Sequence, residues 1–276
     1  MFDLHVHAAP DISPRLGDDR QILRWYAEAG FSGCVLKGHY DATMGRAAAA
    51  GADLALKVYG GLALNQHVGG INPAAVAAAL AMGARVIWMP TADAHSHDAA
   101  GPPLRLCVQR PELPGTTYAI PPVDWSAVPR VRQVLQLIAE ADAVLATGHL
   151  SVAETAWLLG EAQRANITRL LLTHPSYTVP GMTSAQAAEF TAQGAYAEVT
   201  AIQLLRQPGC DAAHLAAFIT AVGYDHVVLS SDAGQPDNPA PPDALRLLID
   251  ALAAEGLDRQ ALLACASEIP ERLITP

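Results

Sequence analysis

Short apolar runs of strand length alternate with longer stretches of helical periodicity along the whole chain. The strand-like runs start near Phe2, Phe31, Lys57, Arg85, Ala143, Arg169, Ala195 and His226. Between most of them lies a helical pattern with readable ends. Asn72-Pro73 predicts a capping side chain followed by proline at the first helical position, and Gly83 stands where that helix should stop. Ser151 followed by Glu154 has the spacing of a capping box. Asp211 can cap a helix that ends at Gly223, and the run Ala47 to Ala50 reads as ordinary helix. Eight such units without a break predict an α/β chain folded as a single (β/α)8 (TIM) barrel, with an open doubly wound sheet as the alternative. The whole of residues 1–276 is read as one barrel domain, with no repeat, low-complexity tract or second domain.

One connection departs from the pattern. From Thr91 to about Pro129, after the fourth strand, the chain is rich in proline and carries Arg105, Arg110, Tyr118 and Trp125. Loops this long inside a compact domain are commonly functional. Following a strand, this one belongs on the C-terminal face of the barrel, where it is expected to form a partial lid. A passive excursion packed on the rim is the plainer reading.

Composition narrows the class. At 276 residues, 51% of them apolar, the chain has the length of one barrel and ample material for its core. A net charge of -10 argues against a nucleic-acid groove or an anionic membrane surface as the main partner. The four cysteines, Cys34, Cys107, Cys210 and Cys265, form no CxxC pair and read as buried thiols of a reducing compartment. The start Met1-Phe2-Asp3-Leu4-His5 lacks the features of a signal peptide, and no run approaches the length of a membrane span. The expectation is a soluble, cytoplasmic protein whose partner is a small-molecule substrate, with a homo-oligomer allowed.

Polar residues that directly follow apolar strands need a reason, because active sites of such barrels lie at the C-terminal strand ends. The first strand ends Asp3-Leu4-His5-Val6-His7. Histidines at i and i+2 of a strand share a face, so His5 and His7 can reach one metal ion. The fifth strand ends at His149, the sixth at His174 and the eighth at Asp232. Singly, each could merely end a strand. Together with the histidine pair they form a convergent nitrogen and oxygen set that suits zinc, and also manganese or iron.

This arrangement resembles the amidohydrolase superfamily: HxH after strand one, histidine after strands five and six, aspartate after strand eight. The resemblance spans essentially the whole chain. Further phrases are similar to one uncharacterised branch of that superfamily, among them His5-Val-His7-Ala-Ala-Pro-Asp11, Leu36-Lys37-Gly38-His39-Tyr40, Gly69-Gly70-Ile71-Asn72-Pro73, Trp88-Met89-Pro90-Thr91 and Asp232-Ala-Gly234-Gln235. It implies a metal-activated water, one or two divalent ions, and an aspartate, Asp232, that handles the proton. It leaves the substrate open. The chain departs from the binuclear pattern after strand four, where a lysine or glutamate is expected and Met89-Pro90-Thr91 stands instead. A lysine does end strand two. Lys37 has two readings: carboxylated and bridging two metals, or an ammonium that holds an anion.

His39, His67, His95 and His97 fall in the loops after strands two, three and four and are candidates for binding substrate or adding a metal ligand, with His39 nearest Lys37 in sequence. His95 and His97 could equally be an inert exposed pair. His214, inside a helix, and His226, just before a strand, read as structural, and Glu198 near the end of strand seven is a candidate to orient a ligand. The expected activity is hydrolysis of an amide, lactone or ester bond in a small polar, anionic substrate. Asp232 serves as proton acceptor, and the metal or one of the histidines, with His174 the catalytic candidate among them, polarises the carbonyl. Two alternatives stay open: a single-metal decarboxylase or hydratase of the same superfamily, and a barrel that binds metal or ligand without turnover.

Overall fold

The computed structural model describes residues 1–100 and 115–275. Eight parallel strands pair in sequence order from β1 to β8. They are β1 (Phe2–Val6), β2 (Gly33–Leu36), β3 (Lys57–Ala63), β4 (Val86–Trp88), β5 (Val144–Ala146), β6 (Leu170–Leu172), β7 (Tyr196–Thr200) and β8 (Val227–Ser230). The sheet returns on itself just beyond β8. Asp232 N donates to His5 O at 2.8 Å and His7 N donates to Ala233 O at 2.9 Å. The result is the expected (β/α)8 barrel, and the open sheet is ruled out by these closing bonds. Each strand begins at or within two residues of its expected start. The lag is largest at β2, because Phe31 packs edge-on against Tyr26 (ring centroids 4.9 Å apart) before pairing begins at Gly33.

The helices are α1 (Asp19–Glu28), α2 (Met44–Gly51), α3 (Pro73–Ala81), α4 (His95–Ala100), α5 (Val128–Glu140), α6 (Val152–Arg164), α7 (Ser184–Thr191), α8 (Ala201–Arg206), α9 (Ala212–Val222), α10 (Pro241–Ala254), α11 (Arg259–Cys265) and α12 (Glu268–Ile274). Their ends follow the local chemistry. Asn72 accepts from Ala74 N and Ala75 N at the start of α3, and Asp211 accepts from His214 N at the start of α9. The Ser151/Glu154 capping box opens α6, and the second oxygen of Glu154 accepts Ile120 N at 3.0 Å. One carboxylate thus caps a helix and anchors the returning end of the long connection.

The core is the barrel interior together with the shell between strands and helices. β1, β2, β4, β5, β6 and β8 are buried along their whole length. At the N-terminal end of the barrel, Phe2 N donates to Ala266 O, and Arg85 and Arg169 donate to carbonyls of α12. That end is therefore occupied, which leaves the C-terminal end for a site. Cys34 and Cys265 are buried free thiols and Cys210 is a partly exposed one. No helix among the described residues is long and apolar enough to cross a membrane.

The connection after β4 is stitched at its two described ends: Tyr118 N donates to Asp93 O at 2.8 Å and His95 N donates to Tyr118 O at 2.9 Å. His95, expected in a loop, instead opens the short helix α4. The central part of the expected lid, with Arg105, Cys107 and Arg110, lies outside the described residues.

Candidate metal centre

β1 turns His5 and His7 to the same side, and both are buried. β8 delivers Asp232 and β6 delivers His174. Both have positive φ, 48° and 25°, a conformation that non-glycine residues rarely adopt. Hydrogen bonds from their own backbones hold them there: Asp232 N to His5 O at 2.8 Å, and His174 N to the Glu198 carboxylate at 3.2 Å. β5 leads to His149 through Gly148, whose φ is 60° and where a Cβ would lie 2.2 Å from Met89 O. Only glycine lets β5 pass this close to the end of β4.

Three ligand atoms, one each from His5, His7 and Asp232, lie within 4.8 Å of one another. Asp232 Oδ1 is 3.0 Å from His5 Nε2 and 3.1 Å from His7 Nε2. His174 Nε2 is 3.9 Å from Asp232 Oδ2. The His149 ring stands 4.8 Å from the His174 ring, centroid to centroid. Lys37 Nζ is 2.9 Å from His5 Nε2 and 5.4 Å from the centroid of the Trp88 ring. The fold thus gathers His5, His7, His149, His174, Asp232 and Lys37 at one point on the C-terminal rim.

The electrostatics favour neutral imidazoles at His7, His39, His149 and His174, an ionised Asp232 carboxylate and a more basic His5. Burial holds His174 down to about 4 and His149 and His39 well below the usual histidine range. His7 is pushed down to about 3 by burial and by Arg15. Burial works against the Asp232 carboxylate, but His5 and His7 outweigh it and hold its pKa well below the ordinary range. For His5 burial is likewise outweighed, by Asp232 and Glu198, and its pKa rises. Burial pushes the Lys37 ammonium down to about 8.

Do these residues fit a divalent cation? The Nδ1 atom of His5 faces Glu198 at 3.2–3.3 Å, the carboxylate–histidine pairing that turns the other nitrogen toward a metal. His149 Nδ1 is likewise engaged, by His97 Nε2 at 2.6 Å, while His149 Nε2 and His174 Nδ1 are buried with no partner among the described residues. Buried polar atoms of this kind call for a partner, and a cation would supply one. His5 Nε2 cannot at once donate to Asp232 and accept from Lys37, and a cation among them resolves that conflict. His7 fits on one condition. Arg15 Nη2 donates to its Nδ1 at 3.2 Å, which leaves the proton of neutral His7 on Nε2. Arg15 must release Nδ1 before Nε2 can serve as a ligand.

Above the cluster opens a cavity of about 610 Å³, lined by His7, Lys37, His39, His149, His174 and Asp232 among others. His97 also lines it, as do Arg15 and Asp11, which were not among the expected site residues. Arg15 is held against Asp11 at 2.7 Å, both side chains being about one-twentieth exposed. The only trace of this pair in the sequence is its i, i+4 spacing just after the HxH strand. Of the other candidates, His67 is exposed against the Tyr40 ring and His95 heads α4; neither lines the cavity. From the lid segment it is His97 that reaches the site. His214 is exposed on α9, and His226 sits beside Tyr196 at the start of β8.

Solved structures share this barrel. An amidohydrolase from Pseudomonas aeruginosa shares the fold with a TM-score of 0.66 at 10% identity, over 99% of this chain and 94% of that one. A lactonase from Listeria monocytogenes gives 0.61 at 12% identity, over 99% and 94%. A 2,6-dihydroxybenzoate decarboxylase from Rhizobium gives 0.59 at 11% identity, over 99% and 97%. These are barrels of the amidohydrolase superfamily, and at such identities the likeness is one of fold. By its sequence the chain belongs to a family of unknown function (DUF6282), whose model matches residues 1–198. No curated protein matches the chain.

Proposed function

We propose that this protein is a metal-dependent hydrolase of a small anionic amide, lactone or ester. The observation that carries the reading is the convergence of buried imidazoles on the ionised Asp232 beneath a cavity with two cationic side chains, Lys37 and Arg15. His5, His7, His149, His174 and Asp232 would hold the ion, zinc by the chemistry of the donor set. When bound, a divalent ion there supplies a Lewis acid and a water acidic enough to ionise near neutral pH.

The chain's own groups do the rest. Asp232 accepts the proton of the attacking water and returns it to the leaving group. His174 Nε2 lies 3.9 Å from Asp232 Oδ2, beside the carboxylate that carries that proton. Lys37 and Arg15 attract the substrate's anionic group, and Asp11 keeps the guanidinium in place. A single-ion decarboxylase or hydratase is the second reading. It is favoured by Thr91, which stands where a bridging lysine or glutamate would be, and by the compact three-residue group His5, His7 and Asp232.

The test is a panel of lactones, N-acyl amino acids and aromatic carboxylic acids against zinc-loaded protein, with products identified and Asp232→Asn as control. Hydrolysis that is lost in Asp232→Asn while metal content holds supports the first reading. Carbon dioxide release supports the second, and no turnover with any of these substrates defeats both.

A further inference from the structure

We propose that His39 is a neutral hydrogen-bond donor to the substrate's oxyanion, with its proton fixed on Nε2 by Asn65 and Thr91. Asn65 is fully buried. Its Oδ1 accepts from Thr91 N at 2.9 Å and Asp93 N at 3.2 Å. Its Nδ2 donates to His39 O at 2.7 Å and Thr91 Oγ1 at 2.7 Å. Backbone N–H groups only donate and backbone carbonyls only accept, so the amide has one possible orientation.

That orientation decides the next link. Thr91 Oγ1 receives a proton from Asn65 and must place its own hydrogen elsewhere. Its other side-chain contact among the described residues is His39 Nδ1 at 2.9 Å. If His39 Nδ1 carried a proton, the buried Thr91 hydroxyl would lack an acceptor, a costly state. His39 Nδ1 therefore accepts, and the single proton of the neutral ring sits on Nε2. Nε2 has no protein partner among the described residues and is not sealed in, and His39 lines the cavity. The ring stacks on His7 at 5.2 Å and stands edge-on to His149 at 5.9 Å. The donor lies among the candidate ligands without being one of them, since its lone pair is spent on Thr91.

A fixed donor of this kind suits the oxygen that gains charge as a carbonyl is attacked. A neutral imidazole brings that hydrogen bond without adding a positive charge beside a dication. Thr91 thereby acquires a role. At the position where binuclear barrels place a bridging ligand, this chain has a positioning residue that sets a tautomer. The oxyanion assignment rests on the proposed hydrolysis, whereas the tautomer does not.

The experiment is nitrogen-15 NMR of histidine side chains in the zinc-loaded and metal-free protein, with His39 assigned by comparison with His39→Gln. The expected result is protonation at Nε2 alone, kept in Thr91→Ser and lost to a tautomer mixture in Thr91→Val. Acetate, used as an oxyanion probe, should move the His39 Nε2–H resonance downfield. With a hydrolysed substrate, His39→Phe should lower kcat by about 10²–10³ with zinc content unchanged, and Thr91→Ser should stay near wild type. A proton on Nδ1, zinc loss in His39→Gln, or a resonance that acetate leaves in place overturns the proposal. Absence of turnover with the tautomer and acetate response intact counts against the hydrolase reading alone.

Discussion

Replacing Glu198 by glutamine separates the metal centre from its support. Glu198 is fully buried, holds His5 Nδ1 at 3.2–3.3 Å, and accepts His174 N at 3.2 Å. Glutamine keeps the shape but removes the charge, and it brings an NH2 group for which these two donors offer no acceptor. Removing such a supporting carboxylate costs about 10–100-fold in metal affinity, or about 1.4–2.8 kcal/mol. The buried, unmatched donor costs the metal-free protein about 1–3 kcal/mol. The pH dependence has a definite sign. The Glu198 pKa lies below its ordinary 4.5 because His5 outweighs burial, so its contribution is present above 4.5 and lost as pH falls through the folded value. The His5 pKa is raised above 6.5, so its contribution is present below 6.5 and lost as pH rises through the folded value. The stability gap between wild type and Glu198→Gln should be widest between those values in metal-free protein. Urea unfolding of metal-free protein across that range, with zinc affinity from chelator competition, measures both effects. Unchanged zinc affinity together with an unchanged unfolding midpoint would refute the assignment of Glu198 as the group that orients His5.

Three further outcomes follow from the same geometry. Lys37→Met should keep zinc content and raise KM for an anionic substrate, whereas a fall in metal stoichiometry would restore the carboxylated bridge. The Asp11→Asn/Arg15→Met double variant strands no buried carboxylate and removes the donor at His7 Nδ1; titration calorimetry should show tighter zinc binding, and weaker binding would refute the competition between Arg15 and the ion. Gly148→Ala places a side chain in left-handed backbone, at about 1–2 kcal/mol, and adds an overlap with Met89 O; a thermal midpoint equal to wild type would show that β5 does not need the close approach.

Much of this protein was legible in the order of its residues. Strand positions, the caps at Asn72, Ser151 and Asp211, and the polar residues that end β1, β5, β6 and β8 are local properties. They depend on side-chain periodicity and on hydrogen bonds that reach only a few residues. The (β/α)8 closure followed from eight such units, since a parallel sheet of that length with helices throughout has few other ways to bury itself. Contacts across the barrel were not legible. Nothing local to Glu198 says that it faces His5, 193 residues away in sequence. Nothing near Arg15 says that it donates to His7 rather than to water, and His97 and His95 are indistinguishable until α4 aims one of them at His149. The same limit applies to Thr91. The sequence alone marks it as the place where a ligand is missing, and only the meeting of three loop ends shows a hydroxyl held between Asn65 and His39. Residue order determined which groups arrive at the rim, because each strand carries its own end residue there. Tertiary packing decided which nitrogen of each ring faces inward, because that depends on partners contributed by other strands.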